Sequence, residues 1–265
     1  TVKNSTCRLA TDVGGGGAGY GVAIQGVAKR DMTGRLNDTL FNVVENSVFE
    51  GPYLRHGVII QYNAHNNAVR GNRFTDIALN AIDLHGEDEY LNEIYENRIY
   101  GSRSEAAIGV GNSGGQPPYN HDASGPRNVI RHNYISDSVE GVRVIFGSPD
   151  TVIEGNTITN ARGSGARGIV VQNGPRTVVR GNVISGNQAQ GFWAIHLLHD
   201  PGDTNAGEVG KGDPVDVVIE GNVIASSANG IRIEAGRGIV MRNNELREIS
   251  GTAVDISRGA QVITE

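Results

Sequence analysis

Side chains able to do chemistry crowd most closely at Asp83-Leu84-His85-Gly86-Glu87-Asp88-Glu89-Tyr90. On an extended strand, alternation turns Asp83 and His85 the same way, roughly 7 Å apart. A carboxylate beside an imidazole orients the ring or raises its pKa, which suits general acid–base work. Glu87, Asp88 and Glu89 follow in a turn and offer the oxygen ligands that Ca²⁺ takes, although acidic runs are more often solvated turns. No cofactor is required by this chemistry, and Ca²⁺ is the one ion the sequence suggests. One stretch upstream, Tyr53-Leu54-Arg55-His56-Gly57 adds a second imidazole and a guanidinium.

These residues need a scaffold, and the scaffold is a repeat. An Asn recurs within an apolar alternation at positions 46, 72, 97, 133, 156, 182, 222 and 244, with spacings of 26, 25, 36, 23, 26, 40 and 22 residues. Short strand-like pieces repeating at that length predict a solenoid. After each Asn motif, expected to occupy one strand, comes a second strand of the form Gly/Ala-apolar-x-apolar-x. It begins at residues 21, 57, 81, 107, 141, 168, 194, 230 and 253. The Asn itself is expected at a bend, tolerating left-handed φ and bonding its amide to the same group one coil away.

Composition agrees. There are 38 glycines, and aromatic residues make up only 5% of the chain, so Val, Ile and Leu must pack between tight turns. A solenoid grows by adding coils, so 1–265 reads as one domain, open to being part of a longer chain. Net charge is −6, which argues against a nucleic-acid partner. No apolar run is long enough to span a membrane and no basic-plus-apolar leader stands in the sequence, which begins abruptly at Thr1 and leaves room for a removed leader or further coils. The single cysteine, Cys7, excludes an internal disulfide.

Setting the second strands in register gives two outward columns. One runs Ala23, Ile59, Asp83, Gly109, Arg143, Val170, His196, Arg232, Asp255; the other contains Gln25, Gln61, His85 and Gly111. Gln61, Asp83, His85 and Arg143 thereby share one face, and Gly109 and Gly111 leave floor space for a flat sugar ring.

The pattern resembles the right-handed parallel β-helix of pectate lyases, alginate lyases, mannuronan epimerases and many phage and surface proteins. The expected fold is therefore all-β, a single-stranded right-handed parallel β-helix of roughly nine coils. Arg55-His56-Gly57 resembles a motif of alginate and chondroitin lyases and of mannuronan C5-epimerases, and Asp83-Leu84-His85 is similar to the Asp and His of a second epimerase motif. The lyase resemblance implies a catalytic arginine at Arg55 and a lysine at Lys29. Val22 and Ile24 stand where that family's acidic calcium ligands would be.

The resemblance implies a polysaccharide lyase acting on an acidic, uronic-acid-containing polysaccharide, working extracellularly or in the periplasm. Arg55 or Arg143 would neutralise the substrate carboxylate, His85 would serve as base or acid with Asp83 orienting it, and His56 is a further candidate. Tyr53, Tyr62 and Tyr90 are candidates for a second acid–base group. C5-epimerisation shares the first step and is one alternative. Inverting hydrolysis, with Asp83 paired to Glu87 or Asp88, is another, and non-catalytic glycan binding a third.

Two long gaps interrupt the repeat. The first, 111–122, carries Tyr119 and His121 within reach of substrate; the second runs from His199 to Pro214. Insertions of this kind loop out and wall clefts. His196 and His199 should face opposite ways on a strand, which disfavours shared metal ligation. Trp193 beside Phe192 is expected to anchor a loop more than to hold a sugar.

Overall fold

The computed structural model describes residues 1–11, 19–26, 38–85, 89–111, 125–163, 165–202 and 210–265. Among them the chain is all-β and contains no helix. Three parallel sheets of ten, nine and nine strands run the length of the solenoid. One coil shows the plan. Ala68–Arg70 lies in sheet 1, Arg73–Ile77 in sheet 2 and Ile82–His85 in sheet 3, and the chain re-enters sheet 1 at Glu93–Tyr95.

Alternation sends one apolar residue per short strand inward. Val69, Phe74, Ile82 and Leu84 are all fully buried in this coil. They stack on their counterparts above and below: Phe74 pairs with Phe49 and Ile99 in register, and the two Phe rings lie 4.7 Å apart at 8°. Each such side chain contributes about 1.5–3 kcal/mol by leaving water, an upper range given compact unfolded chains.

The Asn ladder exists, with a different local geometry from the expected one. The Asn does not lie on a strand; it occupies the corner that splits its motif into a sheet 1 and a sheet 2 strand. Asn97 donates its backbone N–H and its amide to Asn133 Oδ1 at 3.0 Å each, and donates to the Val69 carbonyl at 2.9 Å. Its own Oδ1 accepts from the Asn72 N–H and amide, both at 3.1 Å. The left-handed φ belongs to the preceding residue, as at Gly71 (+63°), Glu96 (+56°) and His132 (+53°). Asn46 is one of these predecessors (+51°), because Glu45 pairs with Arg70; the ladder place is taken by Ser47, whose N–H reaches Asn72 Oδ1 at 2.9 Å.

A second amide ladder joins Asn42, Asn67, Asn92 and Asn128 through N–H to Oδ1 bonds of 2.9–3.0 Å. It caps the other end of the sheet 1 strands. Its sequence signature is an Asn five residues before the first ladder's Asn, as in 67/72, 92/97 and 128/133.

Candidate functional site

Sheet 3 carries the polar face. Its register pairs Ala23 with Ile59, Ile59 with Asp83, Asp83 with Gly109, Gly109 with Arg143, Arg143 with Val170, Val170 with His196, His196 with Arg232 and Arg232 with Asp255. The first outward column of the sequence therefore stands as a row on one face. Ile59 and Val170 in that row are buried yet sit outside the main core cluster, so this face is itself partly covered.

A third column lies one residue before the Gly/Ala of each strand. Tyr20 pairs with His56, Ala106 with Glu140, Glu140 with Arg167, and Arg167 with Trp193. The Gly/Ala position points inward and interrupts alternation: a Cβ at Gly57 would meet Phe74 ring carbons at 2.5 Å. The residue before it is thus free to face outward again. Starting an alignment at the Gly/Ala hides this column; reading one residue upstream reveals His56, Asn80, Glu140, Arg167 and Trp193.

The centre of the site is the Asp83 carboxylate. Its Oδ2 lies 3.3 Å from His85 Nδ1 and 3.8 Å from His56 Nδ1. Its Oδ1 stands over Gly109, where an added Cβ would come within 2.9 Å of that oxygen and 3.0 Å of the Asn80 amide nitrogen. Any side chain at 109 would displace the carboxylate. Asn80 is buried, donates to the Ala106 carbonyl at 3.0 Å, and its Oδ1 has no hydrogen-bond partner among the described residues. Arg55 sits in the turn ahead of His56–Gln61; its Nε is buried and has no hydrogen-bond partner, and it forms no ion pair among the described residues.

The two imidazoles are driven apart. Burial lowers the His56 pKa first, opposed by the Asp83 charge and reinforced by Arg55 and His85. At His85 burial also acts downward most strongly, but the hydrogen bond and charge of Asp83 together outweigh it and raise the pKa. Glu105 joins the cluster unforeseen. Although exposed as a residue, it has its carboxyl pKa raised by desolvation first and by Asp83 second, against the pull of Arg143, Arg55 and His85. No repeat position flags it; it precedes Ala106 in a turn, and only its neighbours make it notable.

A cavity of about 180 Å³ opens here, lined by Asn80, Asp83, Glu105, Gly109, Arg143 and Phe146 among others. Arg143 closes one wall, held by Gln172 Oε1 at 3.1 and 3.3 Å. Phe146 is pinned from the second insertion, where its N–H donates to Asp200 Oδ2 at 2.8 Å. Burial raises the Asp200 pKa, countered by the Phe146 and Gly202 N–H bonds. The described part of that insertion thus fixes a cavity wall.

The other sequence candidates fall elsewhere. Gln61 donates to Gln25 at 2.5 Å in a side-chain ladder. Tyr90 stacks on His65 at 4.3 Å, and the Tyr62 N–H donates to the buried Glu89 carboxylate at 3.1 Å. Tyr53 is exposed in the turn before Arg55. None of these lines the cavity. Lys29, Glu87, Asp88, Tyr119 and His121 lie outside the described residues. Among the described residues no group of three acidic, His or Cys side chains is placed to hold a metal. His196 turns to Glu234 and His199 to Asp213, as their opposite facing requires.

Residues 115–198 match the family described as a right handed beta helix region. No curated protein matches the sequence. Among solved structures, the surface adhesin PfbA of Streptococcus pneumoniae is 14% identical, with a TM-score of 0.57 over 83% of this chain and 72% of its own. The catalytic unit of an α-1,3-glucanase from Streptomyces thermodiastaticus is 12% identical (TM-score 0.55), covering 84% of this chain and 49% of the other. The tailspike of E. coli bacteriophage HK620, bound to a pentasaccharide, is 13% identical (TM-score 0.55), covering 85% and 45%. The chain thus spans about half the length of the glucanase and the tailspike it resembles. These likenesses establish the fold, a right-handed parallel β-helix.

Proposed function

We propose that this chain hydrolyses a glycan on the outer face of sheet 3, with Glu105 as general acid and Asp83 as general base. One observation carries this reading: both carboxylates line the same cavity, while neither imidazole does. The raised Glu105 pKa keeps a proton available for the glycosidic oxygen. Asp83 has Oδ2 between two imidazoles and Oδ1 over the open Gly109 floor. Oδ1 would take a proton from the water that attacks the anomeric carbon, and Glu105 would give its proton to the departing sugar. The protonated His85 favoured by its raised pKa would hold Asp83 in place.

Arg55, half-buried and without an ion pair among the described residues, supports an acidic sugar near the cleavage point. The α-1,3-glucanase and the pentasaccharide-bound tailspike are similar in fold and are consistent with a glycan ligand. Such a substrate lies outside the cytoplasm, so an extracellular or periplasmic setting belongs to the same proposal.

A second reading, β-elimination on a uronate, draws support from the imidazole pair. His56, pushed towards its neutral form, would abstract a proton; His85, pushed towards its charged form, would protonate the leaving oxygen; Arg55 would neutralise the carboxylate. Incubation with neutral and uronate polysaccharides separates the two. New reducing ends without ultraviolet absorbance, lost in Glu105→Gln, are expected. Absorbance of an unsaturated uronate would replace hydrolysis by elimination, and deuterium entering C5 without cleavage would indicate epimerisation. Reducing ends formed equally by Glu105→Gln would sink the assignment, and saturable binding without product would leave a glycan-binding protein.

A further inference from the structure

The same face carries a second polar cluster towards its C-terminal end, unused by the chemistry above. Four register steps lead from Asp83 through Gly109, Arg143 and Val170 to His196, about 19 Å at the usual strand spacing. There Trp193, half-buried, faces outward while its neighbour Phe192 is fully buried and serves as the anchor. The Arg232 guanidinium carbon sits 5.4 Å from the indole centroid, an attraction that steadies the ring. Arg232 Nε is 3.1 Å from both Glu234 Oε1 and Asp255 Oδ2. Beneath lies His196, 2% exposed, with neither ring nitrogen making a well-formed hydrogen bond although Nε2 is 3.0 Å from Glu234. Glu140 is also buried and holds Arg167 at 3.0 Å, while its Oε2 lies 3.7 Å from Arg143 Nε, too far for a hydrogen bond.

Buried polar groups left unsatisfied cost stability and call for an explanation. The charge balance says what kind of ligand would provide one. Arg143 and Arg167 both pair with Glu140, whereas Arg232 meets two carboxylates, Glu234 and Asp255, so around the indole the named carboxylates outnumber the cation, the reverse of what an acidic sugar needs. Carboxylates with free lone pairs suit sugar hydroxyls as donors, and an indole face suits the C–H face of a pyranose.

We infer that Trp193, Arg232, Glu234 and Asp255 form a distal subsite for an uncharged sugar of the same glycan chain. It lies about four coils from the reacting carboxylates, so that long chains are held better than short ones. This rests on the outer face being a glycan-binding surface, not on the reaction assigned to it. The chain has a single tryptophan, so its fluorescence reports from this subsite.

Titration of the full chain with neutral hexasaccharides of glucose, galactose and mannose, and with oligogalacturonate of equal length, tests it. At least one neutral hexasaccharide should give a saturable change. Glu105→Gln should titrate alike, and Glu234→Gln combined with Asp255→Asn should weaken the midpoint about tenfold, the effect of losing charge-assisted bonds. Trp193→Phe should lose affinity for that hexasaccharide by calorimetry while keeping the wild-type thermal transition. No saturable change with any neutral hexasaccharide, a response to oligogalacturonate alone, or a midpoint unmoved in the double variant would each overturn the subsite. A chain that titrates but cleaves nothing would keep the subsite and lose the hydrolysis; one that cleaves but does not titrate would do the reverse.

Discussion

Asn97 and Asn80 are both buried asparagines of the same solenoid, placed at different corners of the coil. Every hydrogen-bonding group of the Asn97 amide is engaged, coil to coil, in a ladder that continues to Asn244. Asn80 donates one bond, and among the described residues its oxygen, the Arg55 Nε and the His56 Nδ1 nearby all lack a hydrogen-bond partner. Buried polar atoms are nearly always satisfied because desolvation without a partner is costly. The contrast teaches where the molecule is finished and where it waits for something else. The corner between sheets 1 and 2 is complete; the outer face of sheet 3 is not.

The widest separation between the two regions is expected from Glu105→Gln and Asn97→Ala. The first should cut turnover by about 10²–10⁴-fold, the usual share of a general acid, with an unchanged denaturation midpoint. The second should lower stability by about 3 kcal/mol, since it strands the partners of several buried bonds, yet leave turnover per folded molecule intact. Equal effects of both on stability would erase the distinction.

Gly109→Ala should behave as a site variant despite lying in the middle of a strand. The new Cβ would press on Asp83 Oδ1 and the Asn80 amide, so turnover should fall by about 10²-fold, as expected of a misplaced catalytic group. Steady-state kinetics beside thermal unfolding checks this, and a loss of stability without loss of turnover would place the strain elsewhere.

The pH profile sharpens the electrostatic side. A glutamic acid with a raised pKa stays protonated above the ordinary range of about 4.3, so activity should be lost only as pH climbs through that higher value. Arg143 pulls Glu105 downward. Removing that cation in Arg143→Gln favours the neutral acid, and the alkaline limb should move to higher pH. A limb that stays put, or moves down, would take Glu105 out of the acid role.

The smallest effect belongs to the outer charge ladder of sheet 1. Arg180 and Glu154 pair across adjacent coils with half-exposed side chains. Arg180→Gln should cost about 0–1 kcal/mol, fading with added salt, and leave turnover alone.

Much of the solenoid was legible in the chain because stacking imposes one rule on every coil. The nine Gly/Ala-led strands appear where their alternation puts them, and the column from Ala23 to Asp255 is realised pair by pair. Local conformation was less legible. Nothing in VVENSVF says that Ser47, and not Asn46, continues the ladder, because register is decided by the neighbouring coil. Asp83, His85 and Arg143 could be gathered from spacing, and Arg55 and His56 from the Arg-His-Gly motif, whereas Glu105 could not, since it belongs to no column and no motif.

The sequence by itself determined the repeat, the inward apolar stack and the face on which Asp83 lies, because period-two alternation and coil length are one-dimensional properties. Tertiary structure alone decided that Gly57 and its equivalents break the alternation against Phe74 and other core side chains, turning a third column outward. It also decided which carboxylate meets Asp83 across the cavity. Those outcomes depend on contacts between residues about a coil apart in sequence, and charge, burial and close approach act through space and not along the chain.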